Sequence, residues 1–353
     1  MTSKKKPQSL KRRLRTLAIN AGIMLATLFV FFVLLEIALR IAGPSGDWYA
    51  AGPQRQAFLE DHVQRNSDRF RDREFSTTRS DKLRILAVGD SFTFGDSVEN
   101  IDDVWPRVLQ SQLENTEVYN LGIAGTNTAG QRNILRDRGY KYNPDRIVLA
   151  FVLNDPEPPD ANTRIVPEVL YPPLLPIGQP LDTGLTRLSY AYAFLRQKKN
   201  QLSERFGWKM TYGEFIASFY DPDGEYWQAF AAEARGLVAD ARSQGIEVDV
   251  AIFPMFNALD AYPFEQAHTM AAELFGSTGA GVIDLLPYYR QHADESLSIS
   301  PTDAHPNERA HRIAAEVIAE HLKTRLAESA NADSEAGESA GADSEAAGPA
   351  GTD

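Results

Sequence analysis

The 353-residue chain has no cysteine. Disulfides, thiolate metal sites and a thiol nucleophile are therefore excluded, and the fold must stand on packing alone. Acids are missing from residues 1–15, which carry Lys4, Lys5, Lys6, Lys11, Arg12, Arg13 and Arg15, and bases are missing from 327–353, which carry seven acids. The two ends cancel, so the middle holds the whole net charge of −12. An acidic middle lacks the basic footprint that neutralises phosphates, which argues against nucleic-acid binding. The tail also lacks large apolar side chains and repeats ADSEA at 332 and 342. With so little to bury against chain entropy, disorder is expected over 327–353.

What is present suffices for one full-sized core, since 43% of the residues are apolar. The longest apolar run, Leu17 to Leu35, is interrupted only by Asn20 and Thr27. As a helix it spans about 28 Å, close to the thickness of a bilayer core. A cleaved signal peptide is the competing reading, but the run exceeds an ordinary h-region and Arg40 sits badly for cleavage near Ala42. The expectation is a single-pass signal anchor in the cytoplasmic (inner) membrane. The basic cluster before it places the N-terminus in the cytoplasm and everything after residue 43 outside.

The organisation expected is a basic cytoplasmic segment at 1–16, a transmembrane anchor at 17–42, a Gly/Pro-rich stalk and lead-in at 43–80, a folded domain at 81–326, and the acidic tail. Within the folded domain, short apolar runs alternate with amphipathic stretches, the signature of a parallel sheet with crossover helices. Strands are predicted at Leu83–Val88, Glu117–Leu121, Arg146–Leu153, Val248–Phe253 and Gly281–Leu285. Helices are predicted at Val104–Leu113, Thr128–Gly139, around Trp227 to Ala241, and after Pro306. Residues 156–222, rich in Pro, Tyr and Phe, break the alternation and read as an insertion, either a lid over a site or a surface excursion.

Four weak signals fall at the ends of predicted strands or the start of a helix. Gly89-Asp90-Ser91 follows the first strand, where open α/β folds place their sites; its bland reading is a helix N-cap. Gly125, after the second strand, lets a backbone N–H approach a ligand closely, or is simply a turn. Asn154-Asp155 ends the third strand and offers an amide donor, or local turn chemistry. Asp303-Ala304-His305-Pro306 precedes the last helix and supplies a base with an acid beside it, or only a helix entry with Asp capping and Pro at the first position.

In this order the four signals resemble the blocks of the GDSL family, or SGNH hydrolase superfamily, over residues 83 to about 325. The resemblance implies a flavodoxin-like three-layer sandwich with a five-stranded parallel sheet. It also implies a serine esterase working through an acyl-serine without metal or organic cofactor. Ser91 falls on the nucleophile, His305 on the base, and Gly125 and Asn154, with the Ser91 N–H, on the oxyanion hole. The family spacing Asp-x-x-His puts Thr302 where its acid stands, so Asp303, one residue nearer, is expected to orient His305, with Asp284 as the lesser candidate. The shorter Asp-x-His spacing resembles that of envelope acyltransferases. Leu153 stands where the family has Gly, which narrows the floor of the pocket. The substrate expected is an O-acylated envelope glycan, and an O-acyltransferase or a non-catalytic glycan-binding module of the same fold are the alternatives. The remaining histidines, His62, His268, His292, His311 and His321, are expected at the surface or in packing, too scattered for a metal.

Overall fold

The computed structural model describes residues 10–42, 53–157, 172–256, 259–300 and 303–345. Its centre is a five-stranded sheet of β1 (Leu83–Val88), β2 (Thr116–Asn120), β3 (Arg146–Val152), β4 (Glu247–Phe253) and β5 (Gly281–Asp284). All pairings are parallel and the spatial order is β2-β1-β3-β4-β5. Every residue of β3 is buried, which needs cover on both faces and explains why the strand reads as a continuous apolar run. β1 lies between β2 and β3, so the chain reverses its direction of travel across the sheet there. This switch point opens a crevice at the carboxyl ends of the strands.

The helices are α1 (Leu10–Ala42), α2 (Pro53–Asp61), α3 (Ser91–Phe94), α4 (Trp105–Gln112), α5 (Thr128–Ile134), α6 (Gln179–Leu188), α7 (Tyr190–Arg205), α8 (Tyr212–Ala217), α9 (Glu225–Arg242), α10 (Glu265–Ser277), α11 (Leu286–Arg290) and α12 (Glu308–Glu345). α4 packs against α12 and α5 against α9. A short antiparallel hairpin, β6 (Ser298–Ser300) and β7 (Asp303–Pro306), stands just before α12. At the opposite end of the sheet, buried Arg146 on β3 is paired with buried Asp249 on β4, which also meets His321 Nε2 at 3.1 Å. Removing one partner of such a pair strands the other charge in the core.

The chain divides into two compact units, one of residues 1–57 and 167–209, the other of 58–166 and 210–353. The sheet lies in the second. In the first, α1 is long and apolar enough to cross a membrane by length and composition.

Three stretches of the expected organisation can be set beside the described residues. The lead-in to residue 80 is not all stalk: Phe58, Phe70 and Arg71 are buried, and Phe75 stacks on Tyr119 with ring centroids 4.4 Å apart. The Arg71 guanidinium donates to the carbonyls of Gly95 (2.5 Å) and Val98 (2.6 Å), fastening the loop after α3. These aromatics stand singly among charges, so no periodicity announced them. The insertion, in its turn, ends by about residue 210, because Ile216, Phe219 and Tyr220 are core residues; residues 158–171 lie outside the described ones. Finally, α12 runs on to Glu345, through much of the tail expected to be disordered. Ala and Glu favour helix strongly enough to continue an existing one beyond its buried face. Residues 346–353 lie outside the described ones.

Candidate active site

β1 ends at Val88, and the chain turns directly into α3. Gly89 permits the turn: a Cβ there would meet Thr93 Oγ1 at 2.2 Å and the Ala150 Cβ at 3.1 Å. Asp90 caps α3, its carboxylate accepting from Phe92 N at 2.9 Å. That role leaves Ser91 as the first helical residue rather than the cap. Phe92 is buried beneath it, edge-on to Phe253 at 5.8 Å and 5.6 Å from the His305 ring.

His305 comes from the other end of the sequence on β7. Asn307 sets that strand by donating to the carbonyls of Ser296 (2.7 Å) and Ser298 (3.3 Å), while its Oδ1 caps α12 by accepting from Ala310 N at 3.1 Å. The helix entry is thus made by Asn307, and Asp303 and Pro306 belong to the hairpin. The His305 Nε2 lies 2.9 Å from Ser91 Oγ, and its Nδ1 lies 2.6 Å from Asp303 Oδ1. The same carboxylate oxygen accepts from the His305 backbone N–H at 3.0 Å, and the Asp303 N–H donates to Ser300 Oγ at 3.1 Å. Serine hydroxyl, imidazole and carboxylate therefore form one hydrogen-bonded line. Asp284 is not part of it, because its carboxylate takes the Nδ1 of His268 at 2.7 Å instead.

Burial works against the charged imidazolium of His305, but the hydrogen bond and charge of Asp303, with the charges of Asp96 and Asp90, outweigh it and raise its pKa to about 9. Burial also pushes Asp303 up, yet the hydrogen bonds and charge of His305 win and hold it below the usual carboxylate value. Asp90 is raised to about 6, mainly by burial, against the pull of the Phe92 N–H, His305 and the Asn154 amide. Asp155, behind it, is raised well above its usual value by burial and by the charge of Asp90.

The other two candidates stand on adjoining loops. The Asn154 amide hydrogen-bonds Asp90, which uses one of its two N–H donors and leaves one. The turn holding it is tied to α5: Gln131 Nε2 donates to Asp155 Oδ1 at 3.0 Å, and Asn127 Nδ2 to the Glu157 carbonyl at 2.9 Å. Gly125 takes φ +77, and a Cβ there would meet nothing within 4 Å, so the space on that side of the residue is open. Its loop is fastened to the Gly89 carbonyl by Ile123 N (3.1 Å) and the Thr126 hydroxyl (3.4 Å).

Two carboxylates near His305 escaped the sequence reading. Asp90 and Asp96 bracket the Ser91 helix in the run GDSFTFGD, and their acidity was the signal available. The five remaining histidines behave as packing or surface groups. Buried His311 accepts from Trp105 N at 3.4 Å and is pushed down to about 3 by burial and by the positive Arg71 and His305. His268 is buried between Asp284 and Tyr262. Among the described residues no cluster of His and carboxylates suits a metal ion.

Solved structures similar to the chain include a two-domain esterase active on acetylated mannans, co-crystallised with mannopentaose (14% identity, 69% of this chain and 49% of that one, TM-score 0.43). Others are a putative lipolytic protein of the G-D-S-L family from Desulfitobacterium hafniense DCB-2 (17%, 68% and 99%, 0.41) and a catalytic mutant of an acetylxylan esterase from Geobacillus stearothermophilus (11%, 70% and 96%, 0.42). The chain spans about half the length of the first of these. No curated protein matches it. The model of the GDSL-like lipase/acylhydrolase family matches residues 87–313, a stretch that opens on the last turn of β1 before Ser91 and closes in the helix that follows His305. On that match, which covers more than half of its length, the chain belongs to this family and is a carboxylic ester hydrolase.

Proposed function

We propose that the protein is an esterase that works through an acyl-serine at Ser91 and is held at a membrane by α1, with O-acylated glycans outside the cytoplasm as its substrates. The observation that carries the reading is the line from Ser91 Oγ through His305 to Asp303, at 2.9 and 2.6 Å. His305 takes the serine proton as Oγ attacks the ester carbonyl, and Asp303 fixes the ring with Nε2 toward the serine and stabilises the imidazolium. The oxyanion forms beside the N-terminus of α3. There the Ser91 N–H, the Gly125 N–H and the second Asn154 N–H are the donors for it, with Asp90 positioning the Asn154 amide. His305 then returns the proton to the leaving alcohol, and water enters by the same route in reverse.

Retention of α1 is supported within its own unit. Glu36, one residue past the apolar run, accepts from Ala191 N (2.8 Å), Tyr190 N (3.3 Å) and Ser189 Oγ (2.8 Å) at the start of α7. Cleavage near Ala42 would strip that helix start of its acceptor. The glycan substrate rests on this location. A sugar hydroxyl replacing water as acceptor is the second reading, favoured by the two-residue spacing of Asp303 and His305. The test is release of the alcohol from a short-chain aryl ester by the full chain in nanodiscs, wild type beside Ser91→Ala. Turnover that disappears in the variant supports the acyl-serine; equal turnover in both removes it.

A further inference from the structure

We propose that α6 and α7, the described helices of the insertion, form a docking element for the surface of an anionic phospholipid bilayer; this rests on the reading of α1 as a membrane anchor. α6 carries Leu181, Leu185 and Leu188 at helical spacing, one apolar stripe, and the first and last of these are 57% and 74% exposed. Beyond α7, Phe206 and Trp208 stack on each other at 5.0 Å and are 59% and 75% exposed. Side chains of this size gain nothing from water, and Trp is the residue best suited to the headgroup boundary.

The element is held together by buried pairs and bonded to α1. Buried Asp182 on α6 pairs with Arg196 on α7 at 2.9 Å and accepts from the Tyr192 hydroxyl at 2.6 Å. The start of α7 is bonded to Glu36, and Arg40 Nη2 donates to the Leu188 carbonyl at 3.0 Å with its guanidinium over the Tyr190 ring at 5.2 Å. Glu36 directly follows the apolar run that ends at Leu35. The attachment therefore lies in the last two turns of the anchor expected at 17–42, toward the depth at which amphipathic helices lie in the interface.

Charge selects the kind of surface. Residues 172–209 hold six basic residues (Arg187, Arg196, Lys198, Lys199, Arg205 and Lys209) against two acids (Asp182 and Glu204), a net of +4 in a chain of −12. Cations beside an apolar stripe are drawn to anionic headgroups, while the rest of the acidic protein is repelled from them.

The absence of cysteine makes the test direct. Single nitroxides are placed on Leu25→Cys, Leu181→Cys, Leu188→Cys, Trp208→Cys and Lys198→Cys in the full chain, reconstituted in phosphatidylethanolamine/phosphatidylglycerol nanodiscs, and collisions with oxygen and with a water-soluble nickel chelate are compared. Oxygen should exceed nickel severalfold at positions 25, 181, 188 and 208, with the ratio inverted at 198. Omitting phosphatidylglycerol should raise nickel access at 208. A label in the hydrocarbon at 25 with nickel-accessible labels at 181, 188 and 208 overturns the docking element alone. Nickel access at 25 removes the anchor and the proposal with it. Labels at 188 and 208 shielded from both reagents mean contact with protein, a second copy or another partner, and also overturn it.

Discussion

Among the described residues two hydrogen-bonded lines of carboxylate, imidazole and hydroxyl stand out, and they differ instructively. In one, Asp303, His305 and Ser91 are linked at 2.6 and 2.9 Å. In the other, Asp284, His268 and Tyr262 are linked at 2.7 and 3.0 Å. Distances alone do not separate them. Their surroundings do: the His305 side chain is 28% exposed and that of His268 only 3%. The Ser91 hydroxyl sits at a helix start beside an open loop, whereas the Tyr262 oxygen already accepts from Met255 N at 3.0 Å and burial pushes its pKa up. One line ends on an atom that a substrate can reach. The other ends inside the protein and fastens the segment after β4, whose Phe256 stacks over Phe92 with centroids 6.0 Å apart. A nucleophilic site needs access and a place for the developing charge as well as the relay.

Substitution should break this symmetry in opposite ways. Ser91→Ala and His305→Ala should each lower kcat for an aryl ester by about 10³-fold or more, and Ser91→Ala should do so while the denaturant midpoint hardly moves. His268→Ala should do the reverse, keeping most turnover and losing stability in urea unfolding. A large loss of activity in folded His268→Ala would put both lines in the chemistry.

Asn154→Ala should lower kcat by about 10²- to 10³-fold with little change in KM, as loss of one oxyanion donor does. Tyr262→Phe leaves the Met255 N–H and a His268 nitrogen without a partner in the core. It should cost about 1–3 kcal/mol of stability, read as a shifted denaturant midpoint at unchanged slope.

The smallest effect is the most discriminating electrostatically. Because its neighbours raise His305 to about 9, the neutral base is scarce at neutral pH. The acid limb of log kcat/KM should then have its midpoint well above 6.5, toward 9. Asp96→Asn should move that midpoint down, since Asp96 is one of the charges that raises it. The stability contribution has the opposite sense: a raised folded pKa stabilises fully below about 6.5 and is lost as pH rises through about 9. Unfolding titrations should show stability falling over the range in which activity climbs. A midpoint at or below 6.5 would remove the carboxylates' hold on the base.

Much of the fold was legible because it rests on local pattern. LRILAV and RIVLAFVL are apolar runs bounded by turn residues, and the structure starts and ends β1 and β3 within a residue of them. Ser91 and His305 were picked out for the same reason, each marked by its place beside a strand or helix end. The pairing of Asp284 with His268 was not, because it joins residues 16 apart whose separation carries no period. The lead-in was hidden too: Phe58, Phe70 and Phe75 are buried or stacked singly, and a lone aromatic among charges looks like a loop until its pocket is known.

The most direct test of the acyl-serine is covalent. The full chain is treated with an aryl fluorophosphonate, digested, and the modified peptide sequenced by mass spectrometry. A single adduct on Ser91, much slower to form in His305→Ala and unaffected by Tyr262→Phe, is the result predicted. An adduct on Tyr262, or none on Ser91 in the folded protein, would contradict the account.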